Sequence, residues 1–429
     1  MTSCANQINA CICNSMQPRV QNKEFVMKNW MRTYVLVMGL LMGSLVPVCA
    51  QAQVSKSTIT PEQQQELWQQ PDFVKAYLMV ADPGNAAIYR VFGHSCIHLE
   101  CPAYGLDYTF HLTSEDVEDK LWRFMKGQLL AGIQAIPTQE YINGEPRALR
   151  EYEINLPIDA KRKLWEILDN HVMKDTMLVH DYFHRGCTVV LLGIMEELIN
   201  QCDTLSLEYG PWPEHLKNQT VRDIIDGYMK SSSWTRFFVH SISGGREADG
   251  YCPIKYKVMV PVDLVRIWQN AKVNGRPLLS QEYMVVTTTE PWEDTWFTPL
   301  LLSLIILGLA IISWFMKGAY IDWFILGIQF LFGCGITYLL VFSQLPLTGW
   351  SWLIIPFNPL ALIFWKWRKK WSIYYAGVLV LWVVGILVWP HVLVDNAHLV
   401  LTAAWIIVLA KNALPLQRRN NTNFKVKKI

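Results

Sequence analysis

Two residues of this chain have the type and setting of a nucleophile and its base: the histidine of Phe92-Gly93-His94-Ser95 and the cysteine of His184-Arg185-Gly186-Cys187-Thr188. A cysteine attacks as its thiolate, and a helix start favours negative charge. Cys187 follows a polar stretch ending in Gly186 and opens a run with apolar Val189, Leu192, Ile194 and Leu198, which predicts a helix over Cys187 to Cys202. His94 follows a glycine that permits close backbone approach. On an alternating strand His94, Cys96 and His98 face one side, where an imidazole can hold a thiolate or return its proton. Zinc binding by His94, Cys96, His98 and Cys101 is the competing chemistry, but their spacing matches no standard ligand pattern and an alternating strand does not converge them. No metal or organic cofactor is indicated.

The elements that must position this pair are legible around it. Val74 to Val80 and Ile88 to Leu99 are rich in strand formers and flank the turn signal Asp82-Pro83-Gly84-Asn85, which predicts a β-hairpin. Further strands are expected at Leu106 to Leu112 and Leu149 to Leu156. A second helix is expected over Asp159 to His171, with Leu164, Ile167 and Leu168 on one face. These residues describe an α+β domain.

The rest of the chain is of another kind. Of 429 residues 52% are hydrophobic, and the excess lies after Trp296, so the molecule has two parts. Residues 1–52 read as a leader with a signal peptide: Met27 is the expected start, Lys28 and Arg32 a positive n-region, and Val48-Cys49-Ala50 a cleavage site. Residues 53–292 form the exported domain, 293–412 a membrane domain and 413–429 a basic tail. Five spans are expected: Pro299 to Met316, Trp323 to Phe342, Trp350 to Trp365, Tyr374 to Val394 and His398 to Ala410. Lys317, the cluster Lys366, Arg368, Lys369 and Lys370, and the tail from Arg418 to Lys428 then fall on one side. The positive-inside rule makes that side cytoplasmic and the soluble domain external. Trp292, Trp296, Trp350 and Trp352 sit at span ends as interfacial anchors, whereas Asn358-Pro359 interrupts the third span and marks either a packing kink or a cavity for a lipid chain. Export also puts Cys96, Cys101, Cys187, Cys202 and Cys252 where disulfides are permitted, an odd set that would leave one thiol over. The basic clusters lie beside apolar segments rather than along a groove, so nucleic-acid binding is not suggested.

The ordered run of Tyr77-Leu78, Phe92-Gly93-His94-Ser95, Asp107-Tyr108, Phe124-Met125-Lys126-Gly127, Tyr182-Phe183, Cys187-Thr188, Gly244-Gly245, Ala248-Asp249, Val260-Pro261, Leu264 and Gly275-Arg276-Pro277-Leu278 resembles the Lnb family of bacterial lipoprotein N-acyltransferases. The tail with Phe357-Asn358-Pro359-Leu360 looks like that family's membrane domain. The resemblance implies a permuted papain-like periplasmic domain, in which the histidine precedes a cysteine that begins a helix, followed by a bundle of five transmembrane helices in the inner membrane. His94 and Cys187 match those two positions, while Gly186 stands where related sequences carry Asn. His98, Asp107 and His111 are the candidates for a third, orienting residue, with His98 preferred. The implied reaction moves an acyl chain from a membrane phospholipid through a Cys187 thioester to the α-amine of a diacylglyceryl-cysteine lipoprotein. A papain-like envelope hydrolase and a non-catalytic membrane sensor or scaffold are the alternatives.

Overall fold

A computed structural model describes residues 61–413, apart from 71, 85–89, 116–118, 175–176, 182–183, 230–231, 245, 250–251, 288–294, 317, 346–347, 349–351 and 389–394. The expected leader, the Met27 start, Lys317, Trp292, Trp350 and the basic tail therefore lie outside the described residues. Pro61–Gln69 is a helix in a compact unit that ends at Gln70.

From Pro71 onward the chain is one unit, and its soluble part is built on a seven-stranded antiparallel sheet. The strands are β1 (Lys75–Ala81), β2 (His94–Cys101), β3 (Leu106–Ser114), β4 (Leu130–Pro137), β5 (Leu149–Ile154), β6 (Leu178–Val179) and, after a small three-stranded sheet of β7 (Leu207–Glu208), β8 (Lys272–Val273) and β9 (Arg276–Pro277), β10 (Leu279–Val286). Their spatial order is β10-β5-β1-β2-β3-β4-β6. The expected hairpin is β1 and β2, paired from Lys75 opposite Glu100 to Ala81 opposite His94. Its second strand starts six residues later than Ile88, because Gly93 (φ +84°) turns the chain first.

Helices α1 (Leu121–Met125), α2 (Thr138–Gly144), α3 (Ile158–Met173), α4 (Cys187–Gln201), α5 (Val221–Met229), α6 (Ser233–Ile242) and α7 (Pro261–Gln269) complete this part. The amphipathic runs read from the sequence are α3 and α4. They pack on each other and on the central strands, with Trp165 of α3 edge-on to Phe110 of β3 at 6.4 Å. Val189, Leu191, Leu192, Ile194, Met195 and Leu198 of α4 are buried, and this apolar face holds the Cys187 end in place. Tyr141 of α2 closes a second cluster with Met79, Ala81, Cys96 and Leu149.

The C-terminal third is a bundle of α8 (Pro299–Phe315), α9 (Tyr320–Phe342), α10 (Arg368–Val388) and α11 (Asn396–Ala413). By length and apolarity α9 and α11 could each cross a membrane, and α8 is a shorter apolar helix. The expectation of five transmembrane helices needs correction at the third. Trp352–Ile354 is one 3-10 turn, Leu360–Ile363 a four-residue helix and Trp365–Trp367 another 3-10 turn. Pro359 supplies no N–H to continue a ladder, and Asn358 completes the break by accepting the Leu360 N–H (3.2 Å) and donating to the Ile355 carbonyl (2.8 Å). Asn358 thus closes a local turn at the break.

Several polar groups inside the bundle are paired. Lys411 and Asn412 of α11 clasp Asp322 of α9 at 2.9 Å each, and the Gln329 amide donates to the Tyr375 hydroxyl at 2.7 Å. The soluble part is plugged into the bundle through α6. Phe237 stacks on His398 of α11 (4.5 Å) and on Phe332 of α9 (5.9 Å), and Ser241 Oγ is 2.8 Å from His398 Nε2. Arg236 bridges Asp226 (2.5 Å) and Asp395 (3.5 Å), and His240 also meets Asp226 at 3.0 Å.

Candidate active site

Antiparallel pairing sets the start of β2, the ends of β1 and β3 and the starts of β4 and β5 at one end of the sheet. There a cleft of about 350 Å³ is lined by His94, His111, Tyr141, Glu145, Arg147, His180 and Cys187 among others. His94 and Cys187, ninety-three positions apart, thus share one cavity. His94 arrives as the first residue of β2. Gly93 is required just before it, both for its positive φ and because a Cβ there would lie 2.7 Å from the Ala81 carbonyl oxygen.

Cys187 arrives as the first residue of α4, with extended Gly186 as its N-cap (ψ 168°). The Gly186 carbonyl accepts the Val190 N–H at 3.0 Å, and the neighbouring Thr188 hydroxyl donates to the Val258 carbonyl, tying the helix start to the strand-like segment before α7. The first N–H groups of α4 have no intrahelical acceptor, so the thiol sits at the positive end of the helix. Those same N–H groups offer an oxyanion site that needs no side-chain amide from position 186.

The imidazoles of the cleft are kept neutral. Burial, with Arg147 adding to it, lowers the His94 pKa to about 4, and burial together with His94 lowers His111 to about 4. The two rings meet edge to face at 5.9 Å, and His111 also packs on Tyr141 at 5.4 Å. Behind them Cys96 is 1% exposed, and burial, with Cys187 nearby, raises its thiol pKa. A neutral imidazole and a helix-start thiol lining one cleft have the types of a base and a nucleophile. Arg147 and Glu145 form a buried bidentate pair in the cleft wall, with both N···O distances 2.6 Å.

The three candidates for the orienting residue are placed differently. His98 shares the strand face of His94 but lies four residues, or about 13 Å, further along β2. It is held there by Glu151 at Nδ1 (2.5 Å) and Asp107 at Nε2 (2.9 Å), and it stacks on Tyr77 at 5.1 Å. Although burial opposes its charge, the two carboxylates raise its pKa. Both His98 and Asp107 are therefore engaged away from the cleft, whereas His111 lines it. Residues that sequence reasoning missed are Tyr141, Glu145 and Arg147, which precede β5 in a segment of ordinary polar composition. Cys101 is buried beyond His98 on β2, and among the described residues no group of three His, Cys, Asp or Glu converges as a metal site. All six described cysteines are free thiols.

These features define a class: a sheet-rich α+β domain carrying a cysteine and a histidine in one cleft, docked on a bundle of apolar helices. Residues 65–227, which run from before β1 into α5 and include both site residues, match the family model of the Lnb N-terminal periplasmic domain. Over these residues the chain is similar to that family's periplasmic domain. No curated protein matches the chain, and no solved structure does.

Proposed function

We propose that the chain is a thiol-dependent acyltransferase of the inner membrane, with a permuted papain-like catalytic domain in the periplasm. Its substrates are a phospholipid and the N-terminus of a lipoprotein. The observation that carries this reading is the joint presence of the helix-start thiol of Cys187 and the neutral imidazole of His94 in one cleft. The membrane is crossed by α8, α9, α10 and α11 and, between α9 and α10, by the broken segment. That count puts the described basic residues Lys366, Arg368, Lys369 and Lys370 on the cytoplasmic side, opposite the catalytic domain.

In the first half-reaction His94 takes the thiol proton as sulfur attacks the ester carbonyl of a phospholipid. The oxyanion forms at the α4 N–H groups, the carbon–oxygen ester bond breaks, and the lysophospholipid alkoxide leaves with the proton from His94. In the second, the α-amine of the lipoprotein attacks the thioester. His94 accepts the amine proton, the carbon–sulfur bond breaks, and the proton returns to the thiolate. The thioester divides one difficult transfer into two easier ones. His111, in ring contact with His94, replaces His98 as the positioning partner.

Mass spectrometry of the N-terminal lipopeptide of a lipoprotein tests this, in cells that lack their own N-acyltransferase and express the intact chain or Cys187→Ala. A third acyl chain is expected only with the intact protein. No third chain from a well-expressed, inserted protein rejects acyl transfer, and a third chain with both proteins rejects the nucleophile.

A further inference from the structure

The α1 helix, which joins β3 to β4, is not used by the chemistry above, yet its position is unusual. Antiparallel pairing puts it at the same end of the sheet as the cleft, and Glu115, in the cleft wall, is its nearest upstream link. Leu121 and Trp122 are 53% and 56% exposed, large apolar groups with the cations Lys120 and Arg123 on either side. Glu115 Oε1 accepts from Lys120 at 2.6 Å and from Arg123 at 2.9 Å, while Oε2 accepts the Leu130 N–H. Glu115 thus holds both cations of the helix, and with Asp119 just before them the rim carries charges of both signs.

The same helix is fastened to the bundle. Trp122 stacks on Tyr338 of α9 at 4.8 Å, Ser343 Oγ donates to the Met125 carbonyl at 2.8 Å, and the Gln344 N–H donates to the Lys126 carbonyl at 2.8 Å. Gly127 (φ +68°) makes this approach possible, since a Cβ there would stand 2.8 Å from the Leu345 nitrogen. Exposed aromatic and aliphatic side chains flanked by cations, at the end of an apolar helix, are the pattern of a segment lying at headgroup level.

We propose that α1 is a lipid-contacting lip through which a phospholipid passes from the bilayer into the cleft, Trp122 and Leu121 against its acyl chains and Lys120 and Arg123 at its headgroup phosphate. The proposal rests on the acyltransferase reading for its purpose. The occupant follows from continuity with α9: whatever touches Trp122 also touches the end of that helix, where the neighbouring material is lipid. Lys120 and Arg123 reach the phosphate by exchanging part of their attraction to Glu115, which lets a headgroup at the rim loosen the cleft wall.

The test uses the full chain in nanodiscs of phosphatidylethanolamine and phosphatidylglycerol. A photoreactive benzophenone side chain in place of Trp122 should cross-link to phospholipid, and one in place of exposed Tyr104, at the far end of the β2–β3 hairpin, should not. Acylation of Cys187 is then followed by intact mass from two donors, the bilayer phospholipid and a short water-soluble ester. Lys120→Ala or Arg123→Ala alone should each slow acylation from the bilayer roughly fivefold, the attraction of about one cation to an anionic surface. Trp122→Ala should slow it likewise and leave acylation from the soluble ester unchanged. Equal cross-linking at both positions, cross-linking to protein alone, or unchanged rates from the bilayer would each overturn the lip. If Cys187 takes an acyl group from neither donor, the acyltransferase reading fails instead, and the cross-link alone decides whether α1 meets lipid.

Discussion

At the scale of single residues, the site depends on groups held in unusual states. Because burial lowers the His94 pKa to about 4, its base form persists well below the 6.5 of a free imidazole. Acylation of Cys187 from a soluble ester should therefore show an acid limb below pH 6, measurable by stopped-time mass analysis, and a limb centred at 6.5 would contradict a buried base. Stability has its own window. His94 and His111 stay neutral in the fold while the unfolded chain takes up protons near 6.5, so stability should fall as pH drops from about 6.5 toward 4. His98 works in the opposite sense. Its raised pKa gives a contribution that is full below 6.5 and lost as pH climbs through its folded value, so His98→Gln should cost stability at pH 6 and little at pH 9. Since His98 is clamped outside the cleft, that variant should keep its turnover, and a loss of turnover as large as that of Cys187→Ala would restore His98 to the catalytic set. Gly93→Ala brings left-handed strain and a clash with the Ala81 carbonyl, expected to cost about 1–3 kcal/mol in thermal or chemical denaturation.

Elements decide where those residues meet. β2 delivers His94 and α4 delivers Cys187, and the apolar face of α4 fixes the helix start against the sheet. In the bundle the Asp322 and Lys411 side chains are 3% and 9% exposed and in contact, which ties α9 to α11. Removing one partner leaves the other charge buried, a loss of about 3–5 kcal/mol in comparable pairs. Lys411→Met should thus lower the melting temperature in detergent markedly, and adding Asp322→Leu should recover much of it. Equal melting temperatures for the single and double variants would mean that the pair is solvated and not a clasp.

For the whole molecule, the central fact is that the sheet domain and the apolar helix bundle are one unit. The Phe237 ring lies between Phe332 and His398, Ser241 meets His398, and Arg236 reaches Asp395. On the proposed function, a docked domain would hold its cleft at a constant height above the membrane and so raise the encounter rate with anchored substrates over that of a domain on a free tether. Phe237→Ala opens a cavity between the two parts. Hydrogen exchange of α6 and of the first turn of α11 should rise together in this variant while β1 to β3 stay protected, and unchanged exchange in both helices would show that the contact does not hold the parts together.

The sequence by itself determined the elements whose signals are local. Strand-forming residues around Asp82-Pro83-Gly84 gave the β1–β2 hairpin, apolar periodicity gave α3 and α4 to within two residues, and Cys187 stood out because a helix visibly begins on it. The motifs around His94 and Cys187 were enough to indicate the Lnb domain, which the family match over 65–227 then showed. What depended on distant parts of the chain was decided by tertiary structure. Alternation put His98 on the His94 face, but the fold engages it with Glu151 on β5 and Asp107 on β3, outside the cleft that His111 lines. Hydropathy counted a third span over Trp350 to Trp365, because it sums side-chain transfer energies and does not register that Asn358 and Pro359 end the backbone ladder. The proposed lip at α1 had no sequence signal of its own: only the fold brings Tyr338 against Trp122 and Ser343 against Met125, each more than two hundred positions away.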